Sequence, residues 1–125
     1  MSHEIEHIVE RRTEIVFPQE TNAHGTLFGG KAVAMMDVVA GIAAMRACRK
    51  AVVTASIDRI DFKEPIRVGE FVETIARVAH IGRTSIAVEV ELWAEHPTTG
   101  ARRLSTVGRF VMVAIDENGR PTPVR

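Results

Sequence analysis

The residue with the clearest chemical potential is Asp37, a carboxylate in an apolar stretch. It is the only charged residue between Lys31 and Arg46, and Met36 and Val38 flank it. Burying a carboxylate in such surroundings costs free energy unless the group is paired or hydrogen-bonded. Two interpretations stay open: an Asp that reaches solvent at the edge of a subunit, or a carboxylate held in a cleft as general base or nucleophile. The apolar neighbours favour the second.

Gly29 and Gly30 lie just ahead of this stretch, where a helix is predicted to begin. Glycine lets another molecule approach the backbone closely, and N–H groups at a helix N-terminus carry partial positive charge that stabilises an oxyanion. The simpler interpretation is a plain turn before a helix. Phosphate binding uses the same physics, but the loop matches neither GxGxxG nor GxxxxGKS/T, so a nucleotide-binding fingerprint is absent.

Two polar residues, Asn22 and His24, occupy the loop before the glycines. An Asn amide could place a water beside Asp37, and Asn is also a common turn residue. His24 is either an exposed loop histidine or a second acid/base. The histidines form no metal-ligand spacing with Cys48, the single cysteine, so we predict no zinc or other metal site. We also predict no cofactor.

Gly82, Arg83 and Ser85 form a candidate phosphate contact in a predicted turn between two strands. The forked donors of an Arg guanidinium and the hydroxyl of a Ser are suited to phosphate. The alternative is an ordinary hairpin turn whose Arg is exposed. Both interpretations stay open on the residues alone.

Composition excludes several classes of function. The formal net charge is zero over 125 residues, which removes the broad attraction on which nucleic-acid binders rely and argues against a membrane partner. The segment around Asp37 falls short of the roughly 20 residues of a membrane-spanning helix, and residues 1–12 are too charged for a signal peptide. One cysteine cannot form an internal disulfide. We therefore predict a cytoplasmic protein in which residues 1–125 form one domain.

Residue patterns predict the elements that position these groups. Apolar residues of high helix propensity predict a helix from near 27–30 to about Cys48, buried on most faces. Alternating apolar residues predict strands over 8–17, 51–62, 70–80, 84–94 and 103–115. One long helix wrapped by an antiparallel sheet is an α+β domain. Apolar residues on both faces of several strands predict burial against another subunit, and hence a homodimer or higher oligomer.

Four segments in order resemble one family: TNAHGTLFGGKAVAMMD, VVTASIDRIDFKEPIRVGE, IGRTSIAVEVELWAE and a DENGRP turn. They are similar to the hotdog-fold acyl-CoA thioesterases of the YciA/cytosolic acyl-CoA hydrolase type, over most of the chain. The resemblance implies a hotdog fold, in which an antiparallel sheet wraps a central helix. It also implies hydrolysis of acyl-CoA at the interface of a homodimer, and assembly into a hexamer as a trimer of dimers.

The family motif also implies roles for individual residues. Asp37 would be the catalytic carboxylate, and Asn22 would come from the facing subunit. Gly30, with Gly29 nearby, would supply the backbone N–H that polarises the thioester carbonyl. The residues implied near the CoA phosphates are Gly82, Arg83 and Ser85.

Two other functions remain open. A non-catalytic acyl-CoA-binding or sensing module would bind acyl-CoA without releasing a thiol. A hotdog hydratase or dehydratase usually depends on a His paired with an acid, and only His24 is a candidate, in the loop rather than in the helix. The presence of both Asn22 and Asp37 favours the thioesterase.

Overall fold

Residues 8–125 are described by the computed structural model, and in them one long helix packs against an antiparallel sheet. The elements are β1 (Val9–Ile15), α1 (Gly29–Cys48), β2 (Ala51–Phe62), β3 (Phe71–Ile81), β4 (Ser85–Glu95) and β5 (Arg102–Ile115). The strand order in the sheet is β1-β3-β4-β5-β2, and every neighbouring pair is antiparallel. The predicted α+β arrangement is confirmed. The predicted domain of residues 1–125 also includes 1–7, which lie outside the described part.

The core lies between the helix and one face of the sheet, and β4 shows the pattern most clearly. Its core-facing side chains are at most 1% exposed: Ile86, Val88, Val90, Leu92 and Ala94. They form one apolar cluster with the buried residues of α1, and each large side chain contributes about 1.5–3 kcal/mol by its burial. The predicted alternation of this strand is therefore confirmed.

The helix packs against the sheet with small as well as large side chains. Ala40, Ala43 and Ala44 are fully buried, and their short side chains let the helix lie close to the strands. The helix ends at Arg49, which adopts the left-handed conformation with φ 55° and donates its N–H to the Met45 carbonyl. Burial on most faces was predicted, but Val38 and Met45 are 48% and 43% exposed. One apolar stripe of α1 is thus left uncovered by a single chain.

β2 is an edge strand whose surface also stays uncovered. Val53 and Ile57 are 46% and 41% exposed, although β-branched apolar side chains usually mark a packed strand. Two bulges, at Ala55 and Arg59, interrupt its pairing with β5, and Arg59 adopts a φ of 29°. Bulges bend and twist an edge strand. An apolar edge of this kind is available for pairing with another chain.

The tail after β5 forms no strand, but it packs against the sheet. The N–H of Thr122 donates to the Ala114 carbonyl, and that of Val124 donates to the Arg83 carbonyl. The Val124 side chain is 3% exposed and belongs to the core cluster. The tail therefore closes the end of the sheet beside the turn that joins β3 and β4.

Candidate active site

Asp37 is held by a threonine from the neighbouring strand. The Thr54 hydroxyl donates to Asp37 Oδ1 at 2.6 Å, and the carboxylate is half-buried. Within residues 8–125, no group donates a hydrogen bond to the other oxygen, Oδ2. One oxygen is thus fixed while the second remains available. A carboxylate in this state can accept a proton from water or attack a carbonyl carbon.

Thr54 is the site residue that the sequence analysis did not identify. It is one of two polar residues, with Ser56, in a β-branched apolar run, VVTASI, shortly after the helix, and this pattern does not distinguish Thr54 from Ser56. A bulge follows it at Ala55, and bulges re-aim neighbouring side chains. The Thr54 hydroxyl also lies 3.4 Å from Met112 Sδ, so it has a single strong acceptor, Asp37.

Asn22 is fixed inside its own loop. Its Oδ1 accepts from the N–H groups of His24 at 2.9 Å and Thr26 at 3.2 Å, and its Nδ2 donates to the Thr26 hydroxyl at 2.9 Å. This is the turn-stabilising role expected of Asn. An amide nitrogen has two donors, so one N–H remains for a water or a substrate. The ring of His24 is exposed and makes no hydrogen bond within the described residues.

The N-terminus of α1 presents free N–H groups. The helical ladder begins where Ala32 donates to the Phe28 carbonyl, so the N–H groups of Gly29 and Gly30 have no partner within residues 8–125. A Cβ placed on Gly30 would meet nothing within 4 Å. Phe28 itself is anchored, since its N–H donates to the Glu20 carbonyl. The predicted glycine pair therefore opens a helix N-terminus to a ligand oxygen.

Gly30 and Asp37 do not meet within one chain. They lie on the same face of α1, about two turns apart, which places them roughly 10 Å from each other along the axis. To act on one carbonyl group, the Gly30 N–H must lie about 3 Å from its oxygen, and the attacking group at Asp37 must lie about 3 Å from its carbon. Within a single chain, Gly30 and Asp37 are therefore too far apart to act on one carbonyl group.

The predicted phosphate contact lies at the far end of the sheet from Gly29. Ser85 pairs with Val113, which pairs with Val53 near the start of β2. At the other end of β2, the Phe62 ring lies 3.5 Å from a Cβ placed on Gly29. Strand geometry separates these ends by roughly 25 Å. The turn thus shares its end of the sheet with Thr54.

The turn that carries Arg83 is a tight hairpin, and the Arg83 side chain is exposed. The Gly82 N–H donates to the Ser85 carbonyl at 2.8 Å, and a Cβ on Gly82 would lie 2.6 Å from Ser85 Oγ. Any larger residue at 82 would have to displace that hydroxyl. The Ser85 hydroxyl can rotate away about its Cα–Cβ bond, so this contact favours glycine at 82 without requiring it.

An ion pair braces the loop beyond β2. Arg103 donates to both carboxylate oxygens of Glu70, at 2.7 and 2.8 Å, and to the Pro65 carbonyl at 2.7 Å. The Arg103 hydrogen bonds hold the pKa of Glu70 below its ordinary value, although burial acts in the opposite direction. Glu70 is therefore an ionised structural group at neutral pH.

Within residues 8–125, no cluster of three or more His, Cys, Asp or Glu side chains is placed to hold a metal ion. The described helix is also not long and apolar enough to cross a membrane.

Comparison with known proteins decides the family. A family model described as "Thioesterase superfamily" matches residues 24–101. This chain belongs to the thioesterase superfamily. The family and the hotdog fold predicted from the sequence are confirmed. This thioesterase chain is 43% identical to the Bacillus subtilis protein named uncharacterized acyl-CoA thioester hydrolase YkhA, covering 90% of the chain and 66% of that relative.

Solved thioesterase structures share the fold closely. An apo-hexameric acyl-CoA thioesterase has a TM-score of 0.91 at 44% identity, covering 95% of this chain and 76% of that one. An acyl-CoA hydrolase from Staphylococcus aureus, solved with butyryl-CoA and CoA, has a TM-score of 0.89 at 34% identity, covering 95% and 73%. Three single-alanine variants of that enzyme were also solved, at an Asn, an Asp and a Thr. Those residues follow in the order and spacing of Asn22, Asp37 and Thr54 here.

Proposed function

We propose that this chain hydrolyses acyl-CoA thioesters to CoA and a carboxylic acid, with Asp37 as the catalytic carboxylate. The observation that carries the proposal is the 2.6 Å hydrogen bond from Thr54, which fixes one oxygen of a half-buried Asp37. The relatives named acyl-CoA thioester hydrolases support the reaction, and the matching Asn, Asp and Thr support the residues.

Two routes use this geometry, and both begin with the carbonyl oxygen at the Gly30 N–H. In the first, Asp37 takes a proton from a water placed by Asn22, and the hydroxide adds to the carbonyl carbon. In the second, Asp37 attacks that carbon to form an anhydride, which water then opens. In both, the C–S bond breaks and the CoA thiolate leaves and takes up a proton. Stabilisation of the developing oxyanion by one N–H is worth on the order of 100-fold in rate.

A second copy of the chain completes the site. Antiparallel pairing of β2 with its copy about a two-fold axis reverses the strand, so the Thr54 end of one subunit faces the Phe62 end of the other. Asp37 of one subunit then lies beside Gly30 and Asn22 of the other. The same pairing covers the exposed Val53 and Ile57 of β2. The homodimer is therefore the minimal active unit, and the hexameric neighbours support a trimer of dimers.

The turn at Gly82, Arg83 and Ser85 is proposed as the CoA phosphate contact. It lies at the Asp37 end of the sheet, and the exposed Arg83 guanidinium provides paired donors for phosphate. The reaction needs no cofactor, since water and the side chains supply every group. The absence of a nucleic-acid partner and the cytoplasmic location stay predictions from composition.

Thiol release from a panel of acyl-CoA esters tests the proposal. We expect Asp37→Asn, which keeps the size and the fold, to lower the rate by about 100-fold or more while CoA binding stays measurable. Glu14→Gln is the matched control, because Glu14 pairs with Arg12 on β1, at the edge of the sheet opposite β2. Near-normal turnover by Asp37→Asn would refute the assignment. Saturable binding without thiol release by the wild type would indicate a sensing module instead.

A further inference from the structure

A cavity of about 350 Å³ opens beside the N-terminus of α1. Gly29 and Ala32 form one wall, and Phe62 at the end of β2 forms another. Ala32 lies one turn beyond Gly29 on the same helix face, roughly 4.5 Å along the axis. A ligand whose oxygen sits at the free N–H groups would therefore direct its remaining atoms past Ala32.

The inner surface of this cavity suits an apolar ligand. Leu27 and Ile66 add hydrocarbon to the walls. Ser105 and Thr106 are 2% and 1% exposed, and their hydroxyls are satisfied by the protein: Ser105 donates to the Glu64 carbonyl at 2.6 Å and lies 3.1 Å from the Thr106 hydroxyl. These two hydroxyls are already paired, so they offer little to a polar ligand. The charged residues of the lining, Lys63 and Glu64, lie on its solvent-exposed side.

The outer wall of the cavity is held in place by hydrogen bonds on both sides. Segment 63–66 is bound to β5, because the N–H groups of Lys63 and Glu64 both donate to the Ser105 carbonyl. Arg103 holds the Pro65 carbonyl. On the other side, Leu27 donates to the Ile66 carbonyl at 2.7 Å. A wall fixed on both sides gives the cavity a defined width.

We infer that this cavity takes the acyl chain of the substrate and limits its length to about ten carbons, since a water-sized group occupies about 30 Å³. The inference rests on the proposed function. With the carbonyl oxygen at the helix N-terminus, the acyl chain enters the cavity past Ala32, and the sulfur points away from it. Ala32 is thus a specificity-determining position.

The test compares Ala32→Leu with the wild type in thiol release across straight-chain acyl-CoA esters of increasing length. Leu adds about three carbon positions to the wall, and each excluded CH₂ lowers kcat/KM about fourfold. We expect a fall of about 50-fold for the longest accepted chains and little change for acetyl-CoA. Ile66→Val, which removes one methyl group from the wall, should extend the accepted length by about one carbon.

Ala47→Leu is the matched control, since Ala47 is also buried on α1 but at the opposite end of the helix. It should leave the order of preference among chain lengths unchanged. Binding of non-hydrolysable S-alkyl-CoA thioethers gives a readout that does not depend on catalysis. Suppose that the wild type releases no thiol but binds these thioethers up to a certain chain length, and that Ala32→Leu shortens that length. The proposed hydrolysis would then fail, and the cavity assignment would stand. Affinity and rate profiles that Ala32→Leu and Ile66→Val leave unshifted would overturn the cavity assignment.

Discussion

A site divided between two subunits predicts that two inactive variants restore each other. Asp37→Asn damages one half-site and Asn22→Ala damages the other, so each variant alone should lose on the order of 100-fold in rate. In a mixed dimer, one of the two sites combines an intact Asp37 with an intact Asn22. Because Gly30 and Asp37 lie roughly 10 Å apart along α1, an active site must combine Asp37 of one subunit with Gly30 and Asn22 of the other.

Co-expression with two different affinity tags, followed by capture on both, isolates the mixed assemblies. Thiol release should recover to between about a quarter and about a half of the wild-type rate, depending on how dimers are distributed within larger assemblies. Asp37→Asn carrying both tags is the control for contamination by active enzyme. If both residues acted within one chain, the mixed preparation would be as inactive as its parents, and the divided site would be wrong.

Three further results are expected. Thr54→Val keeps the shape of the side chain but removes the hydrogen bond to Asp37. We expect kcat to fall about 10-fold with little change in KM. An equal fall in Thr54→Ser, which keeps the hydroxyl, would contradict this. Glu70→Gln should lower the free energy of unfolding by about 2 kcal/mol at pH 7 in urea titrations, because it breaks the pair with Arg103. Since the folded-state pKa of Glu70 lies below its ordinary value of 4.5, the pair stabilises the fold above that pH, and the difference from Gln should shrink as pH falls below it. Ile57→Lys should dissociate the dimer in size-exclusion chromatography and abolish thiol release together; an active monomer would refute the interface.

The groups with local signals could be predicted from the sequence. Asp37 stands out because it is a single charge in an apolar helix, and Gly30 because glycine is a poor helix former. Thr54 could not be predicted, since its contact depends on how α1 crosses β2 and on the bulge at Ala55. The exposure of Val38 was also missed, because an apolar residue indicates burial but not which chain provides the cover.

The uncovered edge of β2 has a consequence for the newly synthesised chain. Unpaired N–H and C=O groups beside exposed Val53 and Ile57 can template pairing with any other extended segment, which is a route to aggregation. Correct assembly competes with that process and stabilises the folded chain by mass action, so Tm should rise with protein concentration. Loss of the proposed assembly should therefore lower both solubility and Tm.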